Sequence, residues 1–532
     1  MPMLTLGIEF STQSVKAVLL DLKSAQVIHT GKFNYDDRFP EYGTREGVLP
    51  HRNSEIRHTS PRLLLEAVDA IFLMLQGSGA DLSRIGTVKI DAMQHCTICT
   101  DQTFRDRLRN LDPGLSLLEQ VEKSLTRATV PIWEDRSTKK EIEFIDQYLE
   151  GDGGAARITG NQAELRFPAA QVMKWGRESP PEYRQTAHIQ LLSSFLTSLL
   201  LGEPAPVDTG DGWGTNWNHI DIEQPGWHPR ALTAVDAYLN LGGSDSITGK
   251  TGSMTHYDQP LGTIQTYFTK KYGLPKTAII LAGTGDNPAT LLGCGGATTI
   301  SLGSSYTVNG IMEANEPSPT GEYNLFGYTP GRVMGLSVIS NGGKVHHLFI
   351  RRYILPDPIQ EVTPDYWQLY LHKAGTAFLH PDEKLMLPYL FSESVPLRNR
   401  GIIRDQMAEG DDIANIRALH ISQALSLRLH SRHLRQTDTL CIAAGGAQNN
   451  FLRQLIADVF QTPTYAIHHA DYAAPLGCAV SGARHLLNLS YEDAARIFVR
   501  VDETTRSSPL PENRPVIDTL LTRYRELEER KP

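Results

Sequence analysis

One carboxylate stands where chemistry is easy to arrange. The segment Gly283-Thr284-Gly285-Asp286-Asn287-Pro288 follows the apolar run 278–282, so Asp286 lies at the end of a strand-like stretch. Gly283 and Gly285 leave room for a ligand to come close. A carboxylate held against a hydroxyl acts as a general base, with Asn287 as a hydrogen-bonding neighbour. An Asp in this place also reads as a cap on a following helix. Three other turns can receive an anion. Ser11-Thr12-Gln13 and Gly303-Ser304-Ser305 each join two apolar runs, and hydroxyls with successive turn N–H groups form an anion nest. A plain hairpin turn carries the same residues. Gly445-Gly446 breaks the strand-like run 439–444, and Asn449-Asn450 then precede Phe451, Leu452, Leu455, Ile456, Val459 and Phe460. That spacing is one face of an amphipathic helix with an Asn cap. Its free N–H groups suit phosphate, although such turns are common in α/β folds without any ligand.

Two other patterns look chemical and are set aside. Residues 244–251 end in Gly249-Lys250-Thr251, but the glycine that a P-loop needs at its start falls one place early, at Gly243, and no strand precedes it. Cys96 and Cys99 have the spacing of a metal or redox pair, yet no second pair accompanies them. With Cys294, Cys441 and Cys478 they make five cysteines, an odd number that fits a reducing compartment better than a disulfide framework.

The elements that must position these loops follow from periodicity. Residues 4–10 and 15–20 read as two strands around the Ser11 turn, and 297–302 and 306–312 repeat that outline around the Gly303 turn. Two similar halves, each opening with a hairpin and facing one another, are expected. Residues 61–75 read as a helix, 86–92 as a strand, and 139–149 and 170–175 as helices. Past Gly310 the chain reads as looser, with Pro317, Pro319, Pro330, Pro356 and Pro358, before a helix over 413–435. The alternation indicates an α/β fold. The stretch 516–527 reads as an amphipathic helix that packs either on the body or on a second copy in a homodimer; the body is the expectation.

Bulk composition narrows the function classes. A length of 532 residues suits two large domains or a few smaller ones. The net charge of −9 and the lack of any Lys/Arg-rich run argue against nucleic acid as a partner, but not against a bound nucleotide. The N-terminus does not read as a signal peptide. The most apolar run, 189–201, is too short for a membrane-spanning helix. A cytoplasmic protein without a membrane partner is the expectation.

Together the segments resemble the FGGY family of carbohydrate kinases. They are LGIEFSTQSVKAVLLD at the start, PEYGTREGV near residue 40, MQHC at 93–96, PIWEDRST at 131–138 and ELRFPAAQV at 164–172. Further along come TGDNPATLLG at 284–293, ISLGSS at 300–305 and AAGGAQNNFLRQLIADVF at 443–460. The resemblance implies two actin-like, ribonuclease H-like domains around a cleft, an N-terminal sugar-binding one over 1–293 and a C-terminal nucleotide-binding one over 294–532. It also implies ATP and Mg²⁺, a small sugar as acceptor, and Asp286 as the base. Gln94, His95, Arg166 and Asn287 are then the sugar contacts. Thr12, Gly303, Ser304, Gly445, Gly446 and Asn450 fall on the nucleotide side, with Trp367 an adenine-side contact. Two positions depart from the family pattern. Glu9 replaces the Asp that helps to hold Mg²⁺, and Cys96 replaces a glycine beside the sugar. A kinase for another ketose, a polyol or a sugar acid shares this pattern, as does a catalytically weak relative that binds ATP. Gln94, His95 and Arg166 argue against a pure ATP-driven switch, which has no use for them.

Overall fold

The computed structural model describes residues 3–357 and 359–530; Met1, Pro2 and Pro358, used in the sequence reading, lie outside the described residues. Two seven-stranded sheets organise the chain. The first contains β1 (Leu4–Phe10), β2 (Ser14–Asp21), β3 (Gln26–Asn34), β4 (Ile85–Ala92), β5 (Pro260–Thr263), β6 (Ile279–Leu281) and β7 (Thr284–Gly285). The second contains β8 (Thr299–Leu302), β9 (Tyr306–Ile311), β10 (Asn324–Gly327), β11 (Val333–Ile339), β12 (Leu440–Ala443), β13 (Thr464–Ile467) and β14 (Val501–Ser507).

The internal repeat is visible as topology. In the first sheet β1 pairs antiparallel with β2 and parallel with β4, and β2 pairs antiparallel with β3. In the second, β8 pairs antiparallel with β9 and parallel with β12, and β9 pairs antiparallel with β11. Both opening hairpins lie where the sequence places them. β1 and β4 are buried along their whole length, as central parallel strands covered on both faces must be.

The helices that matter to the site are α1 (Pro61–Gly77), α2 (Pro168–Glu178), α3 (Leu192–Leu201), α4 (Asp286–Gly293), α5 (Gly343–Tyr353), α6 (Pro364–Ala374), α7 (Asp412–Leu429), α8 (Asn450–Phe460), α9 (Ala473–Leu487) and α10 (Arg514–Glu529). α1 begins with Ser60 as cap and Pro61 in its first turn, and buries Leu64, Val68, Ile71 and Leu75. The apolar run 189–201 is a short strand followed by the buried α3. Among the described residues no helix is long and apolar enough to cross a membrane. α10 buries Val516, Ile517, Leu520, Tyr524 and Leu527 in the core of the second half, so it packs on the body.

Two expectations need correction. The stretch past Gly310 is not loose: it holds β10, β11, α5 and α6. These strands take their partners from β9 and from each other across glycine- and proline-bearing turns, and local periodicity carries little of that. The helix expected over 413–435 ends at Leu429, where Arg432 Nε bonds the carbonyl of Leu429 and Leu434 turns away to bridge Met312.

α9 ties the halves together. Although it follows β13 of the second sheet, it lies on the first: Thr5 Oγ1 donates to the carbonyl of Ala479 at 2.8 Å. A Cβ on Gly7 would strike the Pro475 carbonyl, and one on Gly482 would strike the Thr87 hydroxyl. α4 crosses α9 just as closely. Gly293 faces the Ala473 carbonyl and Gly477 faces the Ala289 carbonyl, each without space for a side chain. Val18 and Leu20 of β2 share one apolar cluster with Phe326, Met334, Cys441 and Ala479. The helix that begins with Asp286 is thus held by a helix of the other half.

Candidate active site

Asp286 is the first residue of α4 and does not cap it: the cap position is Gly285, and no side chain serves there. Its Oδ1 accepts from Asn287 Nδ2 at 3.0 Å, and the same Nδ2 donates to Gln94 Oε1 at 2.9 Å. Gln94 Nε2 in turn donates to the Gly210 carbonyl at 3.0 Å. Burial and then the nearby charge of Glu9 push the Asp286 carboxyl up to about 7, against smaller stabilisation from the Asn287 N–H and Lys16. A carboxylate there is a stronger base than one in water.

His95 completes this side. It is 5% exposed and takes a left-handed backbone, φ +70°. Its ring stacks on Phe167 at 4.5 Å and tilts against Phe326 at 6.2 Å. Nδ1 lies 2.8 Å from the Gly214 carbonyl; a carbonyl only accepts, so Nδ1 carries the proton. Burial, helped by the charge of Arg166, holds the ring down to about 3, so it is neutral and Nε2 is an acceptor. Arg166 donates from Nη2 to Asn324 Oδ1 at 3.0 Å. Asn324 and Phe326 lie on β10 of the second sheet, and nothing in the sequence marked either. Asn161 pins that strand: its Nδ2 donates to the Leu325 carbonyl at 2.9 Å, and its Oδ1 accepts the Leu325 N–H at 2.7 Å. The Gln94–His95–Arg166 group, expected within residues 1–293, therefore has a wall from beyond them.

Glu9 is 7% exposed and pairs with Lys16 Nζ at 2.9 Å. The two are register partners across the hairpin, and Glu9 faces Asp91 on the other side. Asp91 is fully buried; burial, then Glu9 and Asp286, push its carboxyl well up. Counting back across the Ser11 turn would have found Lys16, because hairpin register alone places it opposite Glu9. Asp91 carried no such sign, since its row across the sheet depends on a distant parallel strand.

The turn at Ser11 is closed by its own hydroxyl, which donates to the Ser14 carbonyl at 2.8 Å. Thr12 Oγ1 accepts from Trp133 Nε1 at 3.0 Å. In the second half the carbonyls of Gly303 and Ser304 accept the N–H groups of Gly343 and Lys344 at 3.0 Å, which seats this turn on the start of α5. Gly445 is exposed with open space around it, whereas Gly446 packs against Leu302 with no room for a side chain. Of the pair, only Gly445 leaves space for a ligand. Asn449 caps α8 through the Leu452 N–H at 3.0 Å, while Asn450 Oδ1 is engaged by Arg453. Trp367, on α6, stands edge-on to the His347 ring at 5.1 Å.

Neither set-aside motif forms the centre it resembles. Lys250 Nζ bonds the Thr186 carbonyl at 2.5 Å and is buried. Cys96 and Cys99 pack into two different apolar clusters, as strand alternation demands of residues three apart. Cys96 is fully buried, and its thiol donates to the Gln94 carbonyl at 3.6 Å rather than lining the space beside His95. Among the described residues no group of three His, Cys, Asp or Glu side chains is placed to hold a metal ion.

Comparison with known proteins adds a lineage. Residues 298–486 match the model of the FGGY family of carbohydrate kinases, C-terminal domain. The chain is 29% identical over 501 residues to xylulose kinase 2 of Arabidopsis thaliana, covering 90% of this chain and 87% of that one. It is 29% identical over 549 residues to the xylulose kinase of Rattus norvegicus, covering 99% and 96%. Among solved structures, the ligand-bound xylulose kinase of Lactobacillus acidophilus superposes with a TM-score of 0.79 at 17% identity, over 99% of this chain and 97% of that one. The glycerol kinase of Plasmodium falciparum with ADP gives 0.75 at 14% identity, over 99% of each chain. The paired sheets are those of the actin-like sugar kinase fold, and over residues 298–486 the chain carries the C-terminal domain of the FGGY carbohydrate kinases.

Proposed function

We propose that the chain transfers the γ-phosphoryl group of ATP to D-xylulose, giving D-xylulose 5-phosphate and ADP. The observation that carries this is the Asp286–Asn287–Gln94 chain beside a neutral His95, at 3.0 and 2.9 Å. It joins a base raised to about 7 to donors and acceptors suited to sugar hydroxyls. The curated relatives named as xylulose kinases support the choice of sugar.

In this reading His95 Nε2 accepts one sugar hydroxyl, Arg166 donates to an oxygen, and Gln94 with Asn287 orient the chain. Asp286 takes the proton of the terminal hydroxyl as that oxygen attacks the γ-phosphorus and the bond to the β-phosphate oxygen breaks. Thr12 and Ser304 donate to phosphate oxygens from the two halves, and the open space over Gly445 receives the nucleotide. Glu9 is the carboxylate available to Mg²⁺. An ion that keeps most of its shell in phosphate and water needs only one or two protein carboxylates, so the single buried Glu9 is compatible with it. When bound, Mg²⁺ supplies charge neutralisation on the phosphates. The hairpin partner Lys16 holds Glu9 in place.

The test is ADP release coupled to NADH oxidation, with D-xylulose, other ketoses, polyols and sugar acids as acceptors. D-xylulose should give the highest kcat/KM. A clear preference for a polyol or an acid would refute the substrate, and no transfer to any acceptor despite ATP binding would refute the activity.

A further inference from the structure

The side chains assigned to the sugar are aimed by a segment that carries no motif. Residues 208–214, Asp-Thr-Gly-Asp-Gly-Trp-Gly, form one helical turn over Thr209–Gly212, capped by Asp208, whose Oδ1 accepts the Asp211 N–H at 3.0 Å. Its carbonyls face the site. That of Gly210 holds Gln94 Nε2 at 3.0 Å, and that of Gly214 holds His95 Nδ1 at 2.8 Å. Both glycines are required by space: a Cβ on Gly214 would meet the His95 ring at 2.7 Å, and one on Gly210 would strike the hydroxyl of Thr284, two residues before Asp286.

Asp211 sits at the centre of this turn and is 1% exposed. Its Oδ2 accepts the Ser193 hydroxyl of α3 at 2.5 Å, and its backbone carbonyl accepts the Gly214 N–H at 3.0 Å. The N–H of His95 lies against the carboxylate and favours its charged form. Among the described residues Asp211 has no ion-pair partner, so burial pushes its carboxyl well up. An isolated buried acid is costly, and so is the left-handed backbone of His95. Two unfavourable features in contact, both beside the sugar contacts, call for one explanation.

We propose that Asp211 is a positioning residue for the sugar site. It fixes the 208–214 turn against α3 through Ser193, so that the Gly210 and Gly214 carbonyls hold Gln94 and His95 in one orientation. That orientation keeps the proton on His95 Nδ1 and leaves Nε2 as an acceptor for a hydroxyl. The inference rests on reading this pocket as the sugar site.

Asp211→Ala should raise the sugar KM about tenfold, the size expected for losing 1–2 kcal/mol of aligned hydrogen bonding, and leave the ATP KM within about twofold. Asp211→Asn keeps the shape and one acceptor, and should restore the sugar KM to within about threefold. Histidine-selective ¹⁵N spectra, with His95 identified by its loss in His95→Gln, should show the Nδ1-protonated tautomer in the unaltered protein and a mixture in Asp211→Ala. A joint rise in both KM values, or an unchanged His95 signal, overturns the proposal. If Asp211→Ala does not fold, Ser193→Ala removes the anchoring hydroxyl alone and should raise the sugar KM about threefold; no change there also overturns it. If the unaltered protein phosphorylates no sugar, the functional reading fails, while the ¹⁵N spectrum still decides the role of Asp211.

Discussion

At the scale of single residues, environment decides what each carboxylate does. Asp286 and Asp135 have the same side chain. Asp286 is pushed up to about 7 by burial and then by Glu9. Asp135, although burial acts against its charge, is held well below the usual range by hydrogen bonds from His58, Ser137 and Gln171. The first is suited to take a proton, and the second to stay charged and hold structure. Asp286→Ala should therefore lower kcat by several orders of magnitude with little change in the KM for ATP, measured by steady-state ADP release. Since Asp286 must be unprotonated to act, kcat/KM for the sugar should fall as pH drops through about 7 rather than through 4. A pH–rate profile flat from 5 to 8 would speak against that assignment. Cys96 gives the opposite kind of prediction. Its thiol is buried in the core and not at the pocket surface. Cys96→Ala should cost about 1 kcal/mol in chemical denaturation and leave the sugar KM unchanged.

At the scale of elements, the crossing of α4 and α9 is the joint through which the second half holds Asp286. Two glycines, Gly293 and Gly477, permit it, because each faces a backbone carbonyl too near for any Cβ. Gly477→Ala should force the helices apart, lowering stability by about 1–3 kcal/mol and kcat with it. Thermal unfolding and turnover on the same samples would check this. The mutation must reduce turnover even well below the melting temperature; a loss of stability alone would leave α4 a passive element. The sequence carried the identity of β1 and of the helix after Gly445. It did not carry the crossing, since a glycine in a helix pattern does not say which backbone approaches it.

At the scale of the whole molecule, the C-terminal helix is tied down by charge as well as by its apolar face. His430, at the end of α7, lies 3.2 Å from Glu528 of α10 and 3.8 Å from Glu322. Burial alone would push His430 down; the negative charges of Glu322 and Glu528, with the hydrogen bond to Glu528, outweigh it and bring it up to about 9. A folded-state value above the unfolded one means that the folded protein binds the proton more tightly. This stabilisation is complete below about 6.5 and is lost as pH rises through about 9. Urea unfolding at pH 6 and pH 9.5 should differ by on the order of 2 kcal/mol, and His430→Gln should remove most of that difference.

The sequence by itself determined the two opening hairpins, the α/β alternation, the Asn cap after Gly445 and the candidate base. Each of these depends on neighbours within a few positions: apolar period, turn residues and caps. It also carried the resemblance to the FGGY carbohydrate kinases, in ordered segments from LGIEF to AAGGAQNN. Only the tertiary structure decided that Asp286 does not cap α4, that Cys96 faces the core, and that Gly446 is spent on packing against Leu302. The same holds for Asn324 and Phe326 of the second sheet walling the pocket of the first, and for Asp211 standing behind His95. These are contacts between residues far apart in the chain, fixed by which strands and helices lie side by side. Burial and hydrogen bonding, which set the acidity of Asp286 and the tautomer of His95, exist only once those contacts form.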